Sequence, residues 1–401
     1  MTNPSPLLAA VVLAILSTAP GGAVQPVRGA AFGDPAPSAP AGAPPPAADD
    51  SERAPLAFAW PLDPSHTLQK TAPYTAVSRS YWQQVDGAQL QHGLDLPLTA
   101  PDAVVQFSPA PGAHALPASA LQLRDPAGGH RVPRRVDARQ LQDAGMPVSD
   151  GSSMLRTGAA SPAGVYRVQA TQARGRYVVQ VFEPNSPLQL EVQASQAHVL
   201  SGGSLQLQAR LVEERANATH RSARRGGLSG EALLVAPDGR SWPQPLVRAG
   251  DGSLRAQVRI PDDVGATRGL WELQVFAQAE GVLRDARVAF AVARPTARLV
   301  GQATPDARTR RVSLPVQVTD TGRYEVRGTL YASAADGQLK PVAQAHAAAW
   351  FDSPGAGTLV LPFDQAPLPA GFGAPYELRD VQLQDQSRMA PLESRTLALR
   401  F

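Results

Sequence analysis

The sequence predicts an all-β protein: tandem β-sandwich, immunoglobulin-like domains following a β-rich N-terminal domain with one short helix. Three observations predict it. Apolar and polar residues alternate in short runs, most regularly after about residue 185, which is the period-two signature of strands burying one face. Turn signals such as Pro237-Asp238-Gly239 and Asp336-Gly337 punctuate those runs, and such residues reverse a chain at low steric cost. Finally, one pattern occurs twice, as GRYVVQVFEP at 175–184 and GLWELQVFAQ at 269–278. Gly closes a loop, the aromatic anchors a core, and alternate apolar residues line one sheet.

The first 23 residues read as a signal peptide. Pro6 to Ala19, PLLAAVVLAILSTA, is uncharged and apolar, but shorter than the ~20 residues a membrane span needs. Gly21 and Ala23 suit cleavage after Ala23, although no Lys or Arg precedes the run. Export to the periplasm or beyond is therefore expected, with no transmembrane segment left after cleavage. Residues 24–54 are rich in Pro and Ala, and such a segment buries too little apolar surface to offset its ordering. It is expected to be a disordered linker. Cysteine is absent from the 401 residues, so the chain relies on packed cores rather than disulfides, and thiol chemistry is excluded.

Residues 55–185 form the expected β-rich N-terminal domain. GVYRVQATQ and GRYVVQVFEP, separated by ARG, read as a hairpin with Tyr166, Val168 and Ala170 on one face. The helix is placed in RRVDARQLQDAGMP, where Asp137 and Gln140 complete a capping box, Val136 and Leu141 have staple spacing, and Gly145 and Pro147 end the run. Residues 186–294 are expected to be an immunoglobulin-like sandwich. Leu188, Leu190 and Val192, then Leu205, Leu207, Ala209 and Leu211, share inward faces, and Trp271, Leu273, Val275 and Ala277 repeat the pattern. Residues 295–401, with Val312, Leu314, Val316 and Val318 in phase, are expected to form a C-terminal β-sandwich.

The second domain resembles the immunoglobulin-like modules of secreted bacterial surface proteins and macroglobulin-type proteins. The resemblance rests on Gly202-Gly203-Ser204, on Pro237-Asp238-Gly239, and on Gly269, Trp271, Leu273 and Val275. As a whole, the chain resembles uncharacterised secreted bacterial proteins, carrying a domain of unknown function, with tandem immunoglobulin-like domains. That resemblance implies a fold and brings no catalytic residues.

Chemistry is sparse. The seven histidines are scattered, and H-E-x-x-H, G-x-S-x-G and phosphate-loop patterns are all missing, so no catalytic residue, metal site or cofactor is assigned. All but two of the 37 basic residues are arginine, yet net charge is only +3 and acids are interspersed; nucleic acid and nucleotide are not expected partners. Two binding candidates stand out. Arg221, Arg224 and Arg225 lie in the polar insertion EERANATHRSARRGG, whose guanidinium groups would suit an acidic partner. Tyr81 and Trp82 form the best aromatic patch. The leading expectation is a non-catalytic exported protein whose sandwiches bind or space at the cell envelope, with an envelope component or protein as partner. One alternative is a secreted hydrolase or peptidase-related protein with its site in the N-terminal domain. Its residues would be His92, Asp95, His114 and His130, with His92 and Asp95 on one strand. The other is an inhibitor or chaperone of a secreted partner.

Overall fold

A computed structural model describes residues 53–68, 72–145, 148–214, 222–223, 227–263, 269–306 and 308–401. The signal peptide, nearly all of the Pro/Ala linker, Arg221, Arg224 and Arg225 lie outside the described residues. The described chain is all-β, built as tandem sandwiches whose apolar residues face one another across paired sheets.

The middle sandwich follows directly from alternation. One sheet contains Leu188–Ala194, Ser204–Glu213 and Leu254–Arg259; the facing strands are Ser229–Val235, Trp271–Ala279 and Val282–Ala293. Leu190, Val192, Leu207, Val258, Leu273 and Val288 meet in one core. Trp271 is only 2% exposed and stacks on Trp242 at 5.7 Å and 14°. The Pro237-Asp238-Gly239 signal forms its turn: Ala236 N–H donates to Arg240 O, and Gly239 takes φ 88°. In the C-terminal sandwich, a five-stranded sheet with Gly322–Ser333 at its centre packs on Arg311–Val318 and Gly355–Pro362. Val316, Tyr324, Val326, Leu361 and Leu383 fill the space between them.

The N-terminal unit departs from the sequence reading in three ways. Gly164–Gln169 and Arg176–Phe182 are not a hairpin. The first pairs with Leu94–Leu98 and Gln122–Arg124, the second with Ser80–Asp86 and Val104–Pro109 in another sheet. Their apolar faces, including Tyr166, Val168, Tyr177 and Val179, meet across the core. Period two marks which face is buried, and it is equally satisfied by strands that pair and strands that oppose. Second, two short helices form rather than one. The expected helix is present at Ala138–Asp143 (α2), with the Asp137–Gln140 box. An equivalent box, Asp86–Gln89, starts an unanticipated helix at Gly87–His92 (α1). Third, His92 consequently ends a helix instead of sharing a strand with Asp95, because Gly93 at φ 105° breaks the chain between them.

The first strands of the folded chain are distributed among all three units. Leu56–Pro61 adds to the edge of the C-terminal sheet, pairing Phe58 with His346 and Trp60 with Gln344. Thr75–Ser78 then pairs with Leu188–Ala194 of the middle sandwich. Ser80–Asp86 pairs with Arg176–Phe182 of the N-terminal unit. A leading segment of some thirty residues thus stitches the three units with backbone hydrogen bonds. Between the last two strands, Arg79 donates from Nε to Ser186 O at 2.9 Å and pairs with Glu214.

Candidate binding cleft

The stitching creates a junction. Asp285, on the Val282–Ala293 strand, pairs with Ser80, so the sheet of the middle unit that holds Val282–Ala293 and the sheet of the N-terminal unit that holds Ser80–Asp86 become one continuous sheet. Both copies of the repeated sequence pattern lie in it, with Ser80–Asp86 and Val282–Ala293 between them. Register then sets a row of residues across four strands: Glu231 opposite Phe276, Phe276 opposite Asp285, Asp285 opposite Ser80. Residues two apart on a strand share a face, which brings Trp82 beside this row. Its ring meets Phe276 edge-on, with centroids 5.2 Å apart at 84°, a preferred aromatic geometry.

These residues line a cleft of ≈ 330 Å³, at the small end of the range for ligand sites. Trp82, Phe276 and Leu283 supply apolar surface; Glu231 and Asp285 supply carboxylates. Gly230 on the wall is required by close approach, since a Cβ there would lie 2.3 Å from Phe276 O.

Beneath the cleft lies a buried ion pair. Arg284 from the middle sandwich and Glu183 from the N-terminal unit meet at 2.7 Å, both side chains 0% exposed. All five guanidinium N–H groups find acceptors: Nε donates to Leu188 O, Nη1 to Glu183 and Leu283 O, and Nη2 to Thr99 Oγ1 and Ser186 Oγ. Glu183 in turn accepts from the Thr99 and Ala100 N–H groups and the Thr99 hydroxyl. Burial lowers the Arg284 pKa while the Glu183 charge opposes that fall. A buried pair offsets its desolvation only when hydrogen bonds satisfy the remaining donors and acceptors, and here they do. The pair therefore clamps the two units and leaves no free N–H on Arg284 for a ligand.

Asp285 is the opposite case. Its Oδ1 is sealed from solvent and has no hydrogen-bond partner among the described residues. Burial pushes its carboxyl up from 3.8 to about 7, against the pull of Arg287 and Arg284. Arg287 is itself engaged by Glu272 at 3.7 Å.

The residues singled out from sequence fall into two places. Trp82 forms a wall of the cleft, and Tyr81 beside it is 2% exposed, its hydroxyl donating to Pro97 O at 3.1 Å. Burial raises the Tyr81 phenol well above its ordinary pKa. His92, Asp95, His114 and His130 lie away from the cleft. The His92 Nδ1 lies 2.7 Å from Ala88 O in its own helix, and Asp95 is held by Arg167 at 3.3 Å. His114 is exposed and accepts through its backbone carbonyl from Tyr177 Oη. His130 is exposed on a strand paired to Arg124. No two of these four side chains share a hydrogen bond or ion pair. Among the described residues, no group of three or more His, Asp or Glu side chains is arranged to hold a metal ion.

Sequence reasoning passed over Arg284, Asp285, Glu183 and the role of Phe276. Arg284 had a signal: it occupies the inward phase of Val282, Ala286, Val288 and Phe290, where a charge demands a buried partner.

Comparison with known proteins bears on most of the chain. The model for the domain of unknown function DUF4785, N-terminal domain, matches residues 47–183, and that for the DUF4785 C-terminal domain matches residues 296–401. The crystal structure of a DUF4785 family protein from Legionella pneumophila aligns with TM-score 0.59 at 18% identity, covering 87% of this chain and 93% of that one. The α2-macroglobulin of E. coli aligns at 13% identity and TM-score 0.25, covering 80% of this chain and 19% of that one. Salmonella α2-macroglobulin reacted with methylamine aligns at 12% and 0.21, covering 84% and 24%. Those two scores are too low to indicate a shared arrangement. No curated protein sequence matches the chain.

Proposed function

The chain belongs to the DUF4785 family, a domain of unknown function, and we propose that it is a non-catalytic exported binding protein. In this reading, its stitched sandwiches hold the junction cleft ready for a ligand or partner at the cell envelope. The observation that carries the reading is the cleft itself: an aromatic wall, a carboxyl oxygen without a partner, and beneath them a fully satisfied ion pair fixing the two units. A preformed cleft between units with a few convergent polar groups is the usual form of a ligand site. The hydrolase alternative draws no support from His92, Asp95, His114 and His130, which form no acid–base pair. The proposed route outward is the apolar N-terminal run, and N-terminal sequencing of the protein made in a bacterial host is expected to show cleavage after Ala23.

The test is a ligand screen. The protein is titrated with glycans, lipopolysaccharide, peptidoglycan fragments and peptides, in parallel with a general panel of hydrolase substrates. The expected result is binding without turnover, weakened at least tenfold by Trp82→Ala. Turnover of any substrate that is abolished by alanine at His92 or His130 would overturn it.

A further inference from the structure

Taking the junction cleft as the binding site proposed above, we infer that it receives an ammonium or guanidinium group carried on an apolar stem, the chemistry of a lysine or arginine side chain. Three features of the lining point there. The first is charge. Glu231 at the rim and Asp285 on the wall have no ion-pair partner among the described residues, whereas Arg284 has committed all five donors and Arg287 is engaged by Glu272. An anionic ligand would find, among the lining residues, two carboxylates against it and no cation with an uncommitted donor. A cationic ligand would find both.

The second feature is the unsatisfied oxygen. Asp285 lines the cleft with that oxygen sealed and unpartnered, and a ligand cation beside the carboxyl supplies the opposite charge that its lost hydration no longer does. The third is the wall. Phe276 stands between the two acids in the row and Trp82 meets it edge-on, and an aromatic face attracts a cation while its apolar area covers a methylene stem. A neutral sugar would use the rings but leave both carboxylates without a counter-charge. The volume, ≈ 330 Å³, accommodates such a side chain with room to spare, and the rest of a polypeptide partner would run over the rim past Gln278 and Ser229.

The test uses the full-length protein at pH 8, with the Trp82 indole N–H resonance assigned by comparison with Trp82→Phe. Ligands are an arginine-containing peptide and a lysine-containing peptide, their citrulline and acetyl-lysine counterparts, and free cadaverine. The cationic peptides are expected to shift the Trp82 resonance and to bind at least tenfold tighter than their neutral counterparts. Asp285→Asn is expected to abolish that preference while keeping the fold. Tighter binding of peptide than of cadaverine identifies a polypeptide source; the reverse identifies a free polyamine. If neutral ligands shift Trp82 as strongly as cationic ones, or Asp285→Asn keeps the preference, the cation assignment is wrong and the cleft remains a binding site. If the cationic ligands leave Trp82 unmoved, the cation assignment is also overturned. If envelope ligands bind while Trp82 never moves, the cleft reading itself falls.

Discussion

Replacing Asp285 by asparagine removes a buried charge at nearly constant shape, and its effect on stability should depend on pH. Burial raises this carboxyl from 3.8 to about 7, so the folded chain holds the proton more tightly than the unfolded chain does. Between those two values the unfolded state is the one that ionises. Stability is thus lost as pH rises from about 4 to about 7, and the whole penalty is present above 7. A shift of roughly three units, at about 1.4 kcal/mol each, sets an upper bound of about 4 kcal/mol. At pH 5 the same two values leave less than half of that penalty in force. A neutral amide in place of the carboxylate would carry none of it, although its N–H groups need acceptors of their own. The Asp285→Asn variant is therefore expected to gain about 2 kcal/mol more over wild type at pH 8 than at pH 5. Urea unfolding of both proteins at pH 5, 6, 7 and 8, followed by circular dichroism, measures this difference. An equal effect at every pH, or a loss of stability at pH 8, would refute the assignment of Asp285 as a desolvated acid.

Two other perturbations probe the frame around the cleft. Arg284→Met and Glu183→Met each strand one member of a sealed pair, and each is expected to cost about 3–5 kcal/mol. Combining Arg284→Met with Glu183→Met should recover much of that loss in a double-mutant cycle by urea unfolding, and strict additivity would contradict the clamp. Starting the chain at residue 63 removes Leu56–Pro61 with its half-buried Trp60 and Ala59. The C-terminal sandwich is then expected to lose on the order of 2 kcal/mol and, with the Leu339–Phe351 edge bared, to self-associate in sedimentation. A monomer of unchanged stability would show that the strand contributes nothing there.

Much of the fold was legible because one-sided burial leaves a mark on every second residue. Leu188, Leu190 and Val192 or Trp271, Leu273 and Val275 announce their inward face without help from the rest of the chain. Pairing leaves no such mark. LAFAWP at 56–61 and TAVS at 75–78 carry no local sign that their partners lie far along the chain, in Leu339–Phe351, or in another unit, in Leu188–Ala194. The same gap made opposing strands around Ala173–Gly175 look like a hairpin. Helix α1 was missed for a different reason. Its Asp86–Gln89 box matches the one recognised at Asp137–Gln140, but the run that holds His92 and Asp95 was read as one strand. In the cleft, Trp82 stood out as an aromatic beside Tyr81, whereas Asp285 becomes notable only when Ser80 and Trp82 are brought over it by the leading segment.

That segment is the physical basis of the whole account, since the cleft exists only if Ser80–Asp86 is held against Val282–Ala293. Hydrogen–deuterium exchange of the intact protein tests it most directly. Amides of Leu56–Pro61, Thr75–Ser78 and Ser80–Asp86 are expected to be protected for as long as those of their partner strands in the three sandwiches. Exchange of all three at the rate of unstructured peptide, beside protected sandwiches, would contradict it.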